Sequence, residues 1–145
     1  MVDDVTHYDA VEAYCDRLSY FPGDVVGVHV WCSADKYDID VRRWNGDVCW
    51  SATGLTGVTP DTPTNADSHG CGWPVAVSVP VADDWRSGMY LITLRAHDAP
   101  ADRAVGHATF VVRAPVAARG NGAALIVIAT NTYNAYNNWG GRSLY

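Results

Sequence analysis

The sequence predicts a mainly β protein, in which an antiparallel β-sandwich is followed by the first strand and loop of an incomplete α/β domain. Residues that favour strands are plentiful, whereas strong helix formers are scarce, with a single glutamate, Glu12, and a single lysine, Lys36. Apolar and polar residues alternate in several short segments separated by turn residues, as in half-buried strands. A continuous apolar run near the C-terminus is typical of a strand that is buried on both faces.

The first two strand candidates lie on either side of a Pro-Gly-Asp turn at residues 22–24. Residues 24–33 place four alternate residues on one face, namely Val26, Val28, Val30 and Cys32. Residues 11–20 precede the turn, and their pattern directs another set toward the core, namely Val11, Ala13, Cys15 and Leu18. We therefore expect two strands that pack their apolar faces into one core.

A hairpin is predicted next. Residues 37–44 alternate between apolar and charged side chains. Asn45-Gly46 favours a two-residue turn, because both residues tolerate positive φ, and residues 48–50 form the returning strand. Residues 51–72 are rich in Gly, Thr, Pro, Asp and Asn and show no periodicity, so we expect a long loop there.

Three further strands are predicted at residues 74–81, 89–98 and 107–114, with turns at 84–88 and 99–100 between them. Roughly six to seven short strands in about a hundred residues, joined by turn residues, indicate a sandwich of the immunoglobulin-like class. No helix is expected in this region.

The sequence divides the chain into a sandwich at residues 1–113, a linker of small residues at 114–122 and the truncated start of an α/β domain at 123–145. The apolar run AALIVIAT at 123–130 is expected to form the buried first strand of that domain. Too few residues follow it to supply neighbouring strands, so we expect the N-terminal piece of a longer protein or a truncated product.

Charge and hydropathy exclude several classes of function. The formal net charge of −6 provides no basic surface for nucleic acids or anionic lipids. No apolar run approaches the ~20 residues that a membrane-spanning helix needs, and the N-terminus is acidic where a signal peptide would be basic. A cytoplasmic location is therefore expected.

The cysteines are expected to be buried free thiols, with disulfides as the alternative. No CxxC pair occurs among the four of them, which argues against a zinc ribbon. The chain is also long enough to fold without covalent links. The four are Cys15, Cys32, Cys49 and Cys71.

The best candidate for a functional site is the segment 130–141, which follows the carboxyl end of the predicted buried strand. Ligands of open α/β sheets bind at that end of the strands. A structural interpretation is equally open, because Asn and Gly could fill left-handed turn positions while Tyr136 and Trp139 pack into a core.

Other reactive residue types are expected to be structural. Cys71 should be buried in a loop beside His69 rather than act as a nucleophile. Three further histidines should face outward or be hydrogen bonded within the sandwich rather than bind metal, namely His29, His97 and His107.

Several segments resemble the large (beta) subunit of N,N-dimethylformamidase and its relatives. They are CGWP at 71–74, DWRSGMY at 84–90 and NTYNAYNNWGGRSLY at 131–145. The opening AYCDRLS at 13–19, with PGD at 22–24 after it, also fits the way these proteins enter their sandwich domain. The matches span nearly the whole chain, and the tail is the most specific of them.

The resemblance implies an iron-dependent hydrolase of small linear amides, which in the named enzyme cleaves dimethylformamide to formate and dimethylamine. The catalytic part of that family is a glutamine-amidotransferase-like α/β domain, in which two tyrosines and a glutamate hold a mononuclear iron. Carried over to this chain, Tyr133 is the preferred tyrosine ligand, Tyr136 is the alternative, and the other ligands would lie beyond Tyr145. We therefore expect this chain to bind iron poorly and to be inactive alone, its sandwich acting as a scaffold for the catalytic domain.

Three asparagines are candidates for hydrogen-bond donors to the amide oxygen as negative charge develops on it, namely Asn131, Asn137 and Asn138. The partners that the resemblance implies are the remainder of the catalytic domain, a small subunit and further copies of this chain.

The alternative function is a non-catalytic immunoglobulin-like module that binds a protein or a carbohydrate. Such a module would need a row of exposed aromatic side chains. The positions of five tryptophans therefore discriminate between the two functions, namely Trp31, Trp44, Trp50, Trp73 and Trp85.

Overall fold

The structure is a computed structural model that describes residues 7–114, 127–141 and 143. Eight strands and three short helical segments make up the regular structure of these residues. The strands are β1 (Val11–Cys15), β2 (Ser19–Tyr20), β3 (Val25–Cys32), β4 (Lys36–Arg43), β5 (Val48–Thr56), β6 (Val75–Pro80), β7 (Gly88–Ala96) and β8 (Val105–Val112). The helices are α1 (Ala66–His69), α2 (Thr130–Tyr136) and a 3-10 helix (Trp139–Gly141).

The strands form two sheets. One sheet has three strands in the order β1-β3-β6, and the other has five in the order β2-β8-β7-β4-β5. The pairings are antiparallel except for β2 with β8, where Ser19 lies opposite Val111 in a parallel pair. That pair arises because the chain crosses between the sheets directly after β1. The predicted mainly β sandwich is confirmed, and its immunoglobulin-like class stays a prediction.

The two sheets share one apolar core. The three-stranded sheet contributes Val11, Ala13, Val26, Val28, Val30, Cys32 and Val79. The five-stranded sheet contributes Tyr20, Tyr37, Ile39, Val41, Tyr90, Ile92, Leu94, Ala96, Ala108, Phe110 and Val112. The apolar face predicted within residues 24–33 is thus confirmed. Each such valine contributes about 1.5–3 kcal/mol when its side chain leaves water.

The predicted hairpin between β4 and β5 is present, and Asn45 at its turn has φ 59°. The returning strand is longer than predicted, since β5 runs to Thr56 and the loop begins only at residue 57. The alternation in β5 is interrupted by a bulge near Gly54. Tyr37 pairs with Leu55 and Ile39 pairs with Ala52, so two steps along β4 are matched by three steps along β5. The expectation of a loop from residue 51 was therefore wrong.

Two further expectations for the sandwich region were wrong. Leu18 is 64% exposed instead of packed in the core, because it lies at the crossover between the sheets. The loop after β5 contains the single-turn helix α1, which is held by local hydrogen bonds such as that from the Gly70 amide to the Ala66 carbonyl.

The C-terminal segment differs from its predicted form. Most of the predicted linker, 115–122, and the first half of the predicted buried strand, 123–126, lie outside the described residues. Residues 127–129 have no regular secondary structure, and the expected loop after them is instead α2 and the 3-10 helix. Asn, Thr and Tyr have modest helix propensity, so local preference alone does not account for this helix. The division into two domains stays a prediction.

Candidate functional site

A cavity of about 470 Å³ lies between the sandwich and residues 127–141, which we call the C-terminal segment. The sandwich side is formed by the crossover after β1, the tip of the β4–β5 hairpin, β7 and β8. The opposite side is formed by α2 and the residues that flank it. The lining residues are Tyr14, Cys15, Arg17, Leu18, Trp44, Met89, His107, Ala108, Thr109, Ile128, Thr130, Tyr133, Asn137 and Trp139.

One face of the C-terminal segment lines this cavity. Thr130, Tyr133 and Asn137 are spaced three and four residues apart, and this spacing places them on the same side of α2 and its C-terminal cap. The Asn137 amide donates a hydrogen bond of 2.9 Å to the Tyr133 carbonyl, which continues the helical pattern to the cap. Two sequence-predicted site residues, Tyr133 and Asn137, are therefore brought together at one cavity.

The other three predicted site residues are placed elsewhere. Asn131 and Tyr136 are exposed and Asn138 is half-buried, and none of them is among the described residues that line the cavity. Tyr133 and Tyr136 are similarly exposed, at 65% and 66%, so exposure does not distinguish them. The two tyrosines differ in their positions around α2, because Tyr133 lies on the side that lines the cavity and Tyr136 is not among the lining residues.

A buried polar cluster lies beneath the 3-10 helix, and we call it the Glu12 cluster: His7, Glu12, Thr62 and Trp73. Nδ1 of His7 donates to Glu12 Oε2 at 2.9 Å. Trp73 donates its indole N–H to Thr62 Oγ1 at 2.9 Å, and Thr62 Oγ1 lies 3.2 Å from Nε2 of His7. A neutral His7 must then accept from the Thr62 hydroxyl, because its other nitrogen carries the proton donated to Glu12.

An aromatic group joins this cluster to the cavity. The Tyr14 ring lies 5.5 Å from both the Trp73 and the Trp139 rings and stacks on His29 at 4.6 Å. The Tyr14 hydroxyl accepts the Trp73 amide at 3.1 Å. Burial raises the pKa of Tyr14, so its hydroxyl stays protonated at neutral pH. His7 extends the group by stacking on Trp31 at 3.6 Å.

Cys71, His69 and His29 make the contacts expected of structural residues. Burial, and secondarily the charge of Glu12, raises the pKa of Cys71 to about 11, so the thiol stays protonated and is a poor nucleophile. His69 Nδ1 lies 2.9 Å from the Ser68 hydroxyl, and His29 Nδ1 lies 2.6 Å from the Trp73 carbonyl oxygen. All four cysteines are free, as expected, but Cys15 is half-buried and Cys49 is exposed instead of buried.

The described residues do not by themselves complete an iron site. Phenol oxygen is a hard donor of the kind that iron accepts, so Tyr133 and Tyr136 fit in chemical type. Within the described ranges, however, no group of three His, Cys, Asp or Glu side chains could hold a metal ion. Tyr133 is therefore one suitable iron ligand at the cavity, and the described residues do not complete a ligand set around it.

The tryptophans do not provide the surface that the alternative function requires. Trp73 and Trp85 are buried, Trp31 and Trp50 are half-buried, and Trp44 alone of these five is exposed, at 54%. Trp44 is one of the residues that line the cavity. These side chains thus do not form an exposed row.

Sequence reasoning missed Glu12 and Gly140. The alternation in β1 placed Val11 and Ala13 toward the core, which left Glu12 on the opposite face of the strand. The structure covers that face with the C-terminal segment, and Glu12 is only 2% exposed. The signal available in the sequence was that the single glutamate of the chain lies in a strand flanked by apolar residues.

Comparison with known proteins supports one family. The family described as N,N-dimethylformamidase beta subunit-like, C-terminal, matches residues 36–145, about three quarters of the chain. The description names the C-terminal part of these proteins, whereas the sequence analysis expected an N-terminal piece. None of the curated proteins matches this chain. Among the described residues, no helix is long and apolar enough to cross a membrane. The matched range includes most of the sandwich and the cavity-lining helix, and the chain belongs to the N,N-dimethylformamidase beta subunit-like family.

Proposed function

We propose that this chain forms the sandwich body and one wall of the substrate site of a dimethylformamidase-like hydrolase of small linear amides. The observation that carries the proposal is that the family match extends through a segment whose Tyr133 and Asn137 share one face at the cavity.

The cavity has the chemical groups that a small alkylated amide would need. Leu18, Met89 and Ile128 provide apolar surface for N-alkyl groups. Asn137 and Thr130 provide side-chain donors for the carbonyl oxygen. A volume of about 470 Å³ lies in the range of small-molecule sites.

Asn137 is the asparagine best placed to stabilise the developing oxyanion, and Asn131 and Asn138 are the alternatives. Such a donor acts best if it is positioned before the reaction, and the backbone of Asn137 is held by its amide, which caps α2. Its Oδ1 accepts a hydrogen bond of 3.4 Å from the Trp139 amide, which helps to orient the side chain. Replacing Asn137 by Ala in an active family member should lower kcat by roughly 10²–10³-fold.

Tyr133 is proposed as one of the iron ligands, with Tyr136 as the alternative. Iron held by oxygen donors would supply Lewis acidity toward the amide carbonyl. The remaining ligands would come from the remainder of the catalytic domain, so the described chain is proposed to be inactive alone. The family description names a beta subunit, and we propose a small subunit and further copies of the chain as additional partners.

The test is a pair of tyrosine variants in a longer family member that contains this segment. Tyr133→Phe should lower the iron content per subunit and the release of dimethylamine from dimethylformamide, each by at least roughly ten-fold. Tyr136→Phe is the matched control, because it removes an equally exposed phenol on the same helix. Unchanged iron content and rate in Tyr133→Phe would remove Tyr133 from the site. A loss in Tyr136→Phe alone would transfer the role to Tyr136.

A further inference from the structure

Glu12 is a buried acidic residue in a strand of the sandwich. It is the only glutamate of the chain, lies on β1 and is 2% exposed. Among the described residues, its Oε1 has no hydrogen-bond partner. A buried carboxylate with one unsatisfied oxygen contributes little to the stability of a fold, and a well-packed apolar residue at the same position would often stabilise the fold more. The contacts of the other oxygen therefore indicate what Glu12 does.

Oε2 of Glu12 connects two segments that are far apart in the chain. It accepts a hydrogen bond from Nδ1 of His7 at 2.9 Å and another from the Gly140 amide at 3.2 Å. The second bond spans 128 residues and joins β1 to the 3-10 helix. An amide donor to an ionised acceptor makes a stronger bond than one to a neutral acceptor.

Gly140 lies in a slot that only glycine fills. Its φ is 76°, which disfavours residues with a Cβ. A Cβ there would also lie 2.6 Å from Thr62 Cγ2 and 3.2 Å from the Ala66 Cβ. Gly140 is therefore held between the loop that carries α1 and the carboxylate of β1. Both the conformation and the close approach favour a fixed docking of the 3-10 helix.

The docked 3-10 helix is continuous with the cavity wall. The Gly141 amide donates to the Asn138 carbonyl at 2.8 Å, and the Asn137 amide donates to the Tyr133 carbonyl at 2.9 Å. These local bonds link Gly140 to the cavity face through residues adjacent in sequence. A shift of Gly140 out of its slot would therefore move Asn137 and Tyr133.

We propose that Glu12 is a positioning residue, which holds Gly140 through Oε2 and thereby sets Tyr133 and Asn137 on the cavity wall. His7 supports it by orienting the carboxylate, and Thr62 in turn orients His7. The docking follows from these contacts, whereas its effect on amide hydrolysis rests on the proposed function. Geometric errors near 1 Å in such a wall can lower a rate by about 10²-fold.

The first experiment measures docking in the 145-residue chain, without any catalytic readout. Hydrogen exchange at the Gly140 amide is compared with exchange at β3 core amides in the same sample, so that changes in global stability cancel. Glu12→Ala should lower the relative protection of Gly140 by at least about ten-fold, because the acceptor is lost. Glu12→Gln should retain most of the protection, since its side-chain oxygen can still accept.

Asp40→Asn is the matched control. Asp40 is also a buried carboxylate in the sandwich, but among the described residues its side chain pairs with Arg42 and Arg95 on the five-stranded sheet. In the Asp40→Asn variant, the protection of the Gly140 amide relative to the β3 amides should be unchanged. Protection that is equally retained in a folded Glu12→Ala variant would overturn the proposal.

Gly140→Ala keeps the proposal testable if Glu12→Ala does not fold. The added methyl group clashes with Thr62 without altering Glu12, so the segment should leave its slot while β3 protection persists. The amide of residue 140 should then lose at least about ten-fold of its protection relative to the β3 amides. Undiminished relative protection in a folded Gly140→Ala protein would show that this slot does not hold the segment, and would overturn the proposal.

The second experiment measures the consequence for activity in a longer family member that contains this segment. Glu12→Ala should lower kcat by at least about ten-fold, and Glu12→Gln should restore it to within about three-fold of the original. If docking is lost while the amide-hydrolysis rate is unchanged, the positioning role is wrong although the docking is right. If the unaltered protein hydrolyses no linear amide, the proposed function fails and the exchange result still stands.

Discussion

The hydroxyl of Tyr20 is expected to stabilise the crossover between the two sheets, and Tyr20→Phe removes this group alone. The Tyr20 ring is fully buried and packs edge-to-face on Phe110, with 5.5 Å between ring centroids. The hydroxyl donates to Asp16 Oδ1 at 2.5 Å and accepts the Arg17 amide at 2.9 Å. Phenylalanine would keep the packing and lose both hydrogen bonds.

The expected loss in free energy of unfolding is about 2–3 kcal/mol. A hydrogen bond to a charged group contributes ~1.5–3 kcal/mol and one to a neutral group ~0.5–1.5 kcal/mol. The total lies below the sum of the upper limits because Asp16 is partly exposed and regains water. For a chain of this length, the melting temperature should fall by roughly 5–10 °C.

The loss should also depend on pH. Burial tends to raise the pKa of Asp16, but hydrogen bonds from Tyr20 and the Gly27 amide lower it below its usual value. A carboxyl whose pKa is lower in the folded state stabilises the fold above its unfolded pKa of ~3.9 and loses that effect as the pH falls through the folded value. The difference between the original protein and Tyr20→Phe should therefore be largest near neutral pH and narrow below about pH 4.

The assay is urea unfolding followed by tryptophan fluorescence at neutral and acidic pH. Tyr8→Phe is the control, because Tyr8 is 59% exposed and its change should stay within about 0.5 kcal/mol. A loss below about 0.5 kcal/mol in Tyr20→Phe, or a loss that does not vary with pH, would refute the reasoning.

Two further predictions concern reactivity and packing. In the native protein at pH 8, a thiol reagent should modify the exposed Cys49 faster than the half-buried Cys15 and the buried Cys71. Burial raises the pKa of all three thiols, to about 12 for Cys15 and about 11 for Cys71, so limited access and a small thiolate fraction both slow the reaction of those two. Equal labelling rates for the three thiols would contradict this order. Ile92→Ala should lower the free energy of unfolding by about 2–5 kcal/mol in urea titrations, because Ile92 is fully buried. Leu18→Ala should change the free energy of unfolding by less than about 1 kcal/mol, because Leu18 is exposed. Equal losses in the two variants would place Leu18 in the core.

The strands with regular patterns could be predicted from the sequence. The alternation through Val26, Val28 and Val30 survives because β3 pairs on both sides within one sheet and buries one face continuously. The turn at Asn45 was predictable because its backbone conformation is a local property. Local chemistry and a continuous buried face were sufficient for these elements.

Elements that depend on distant contacts could not be predicted. The bulge in β5 shifts the register against β4, and no residue within β5 alone marks it clearly except Gly54, whose φ is 66°. The helix α2 was interpreted as a loop, so its cavity-facing side could not be assigned, although Tyr133 was already preferred over Tyr136. The burial of Glu12 depends on residue 140, and strand periodicity contains no information about such a contact.

The expected cytoplasmic location, the identity of the amide substrate and the assembly with other subunits stay predictions. They depend on properties that neither the pairing of strands nor the lining of the cavity determines. The family match makes the amide class the first to test.

The central claim is that the C-terminal segment docks on the sandwich and brings its tyrosine to the cavity. The most direct measurement is the nuclear Overhauser effect between the aromatic protons of Tyr14 and Trp139, whose ring centroids are 5.5 Å apart. The Tyr14–His29 pair, stacked at 4.6 Å within the sandwich, provides the internal reference. We expect cross-peaks for both pairs. Cross-peaks between Tyr14 and His29 without any between Tyr14 and Trp139 would contradict the docking and the cavity formed by it.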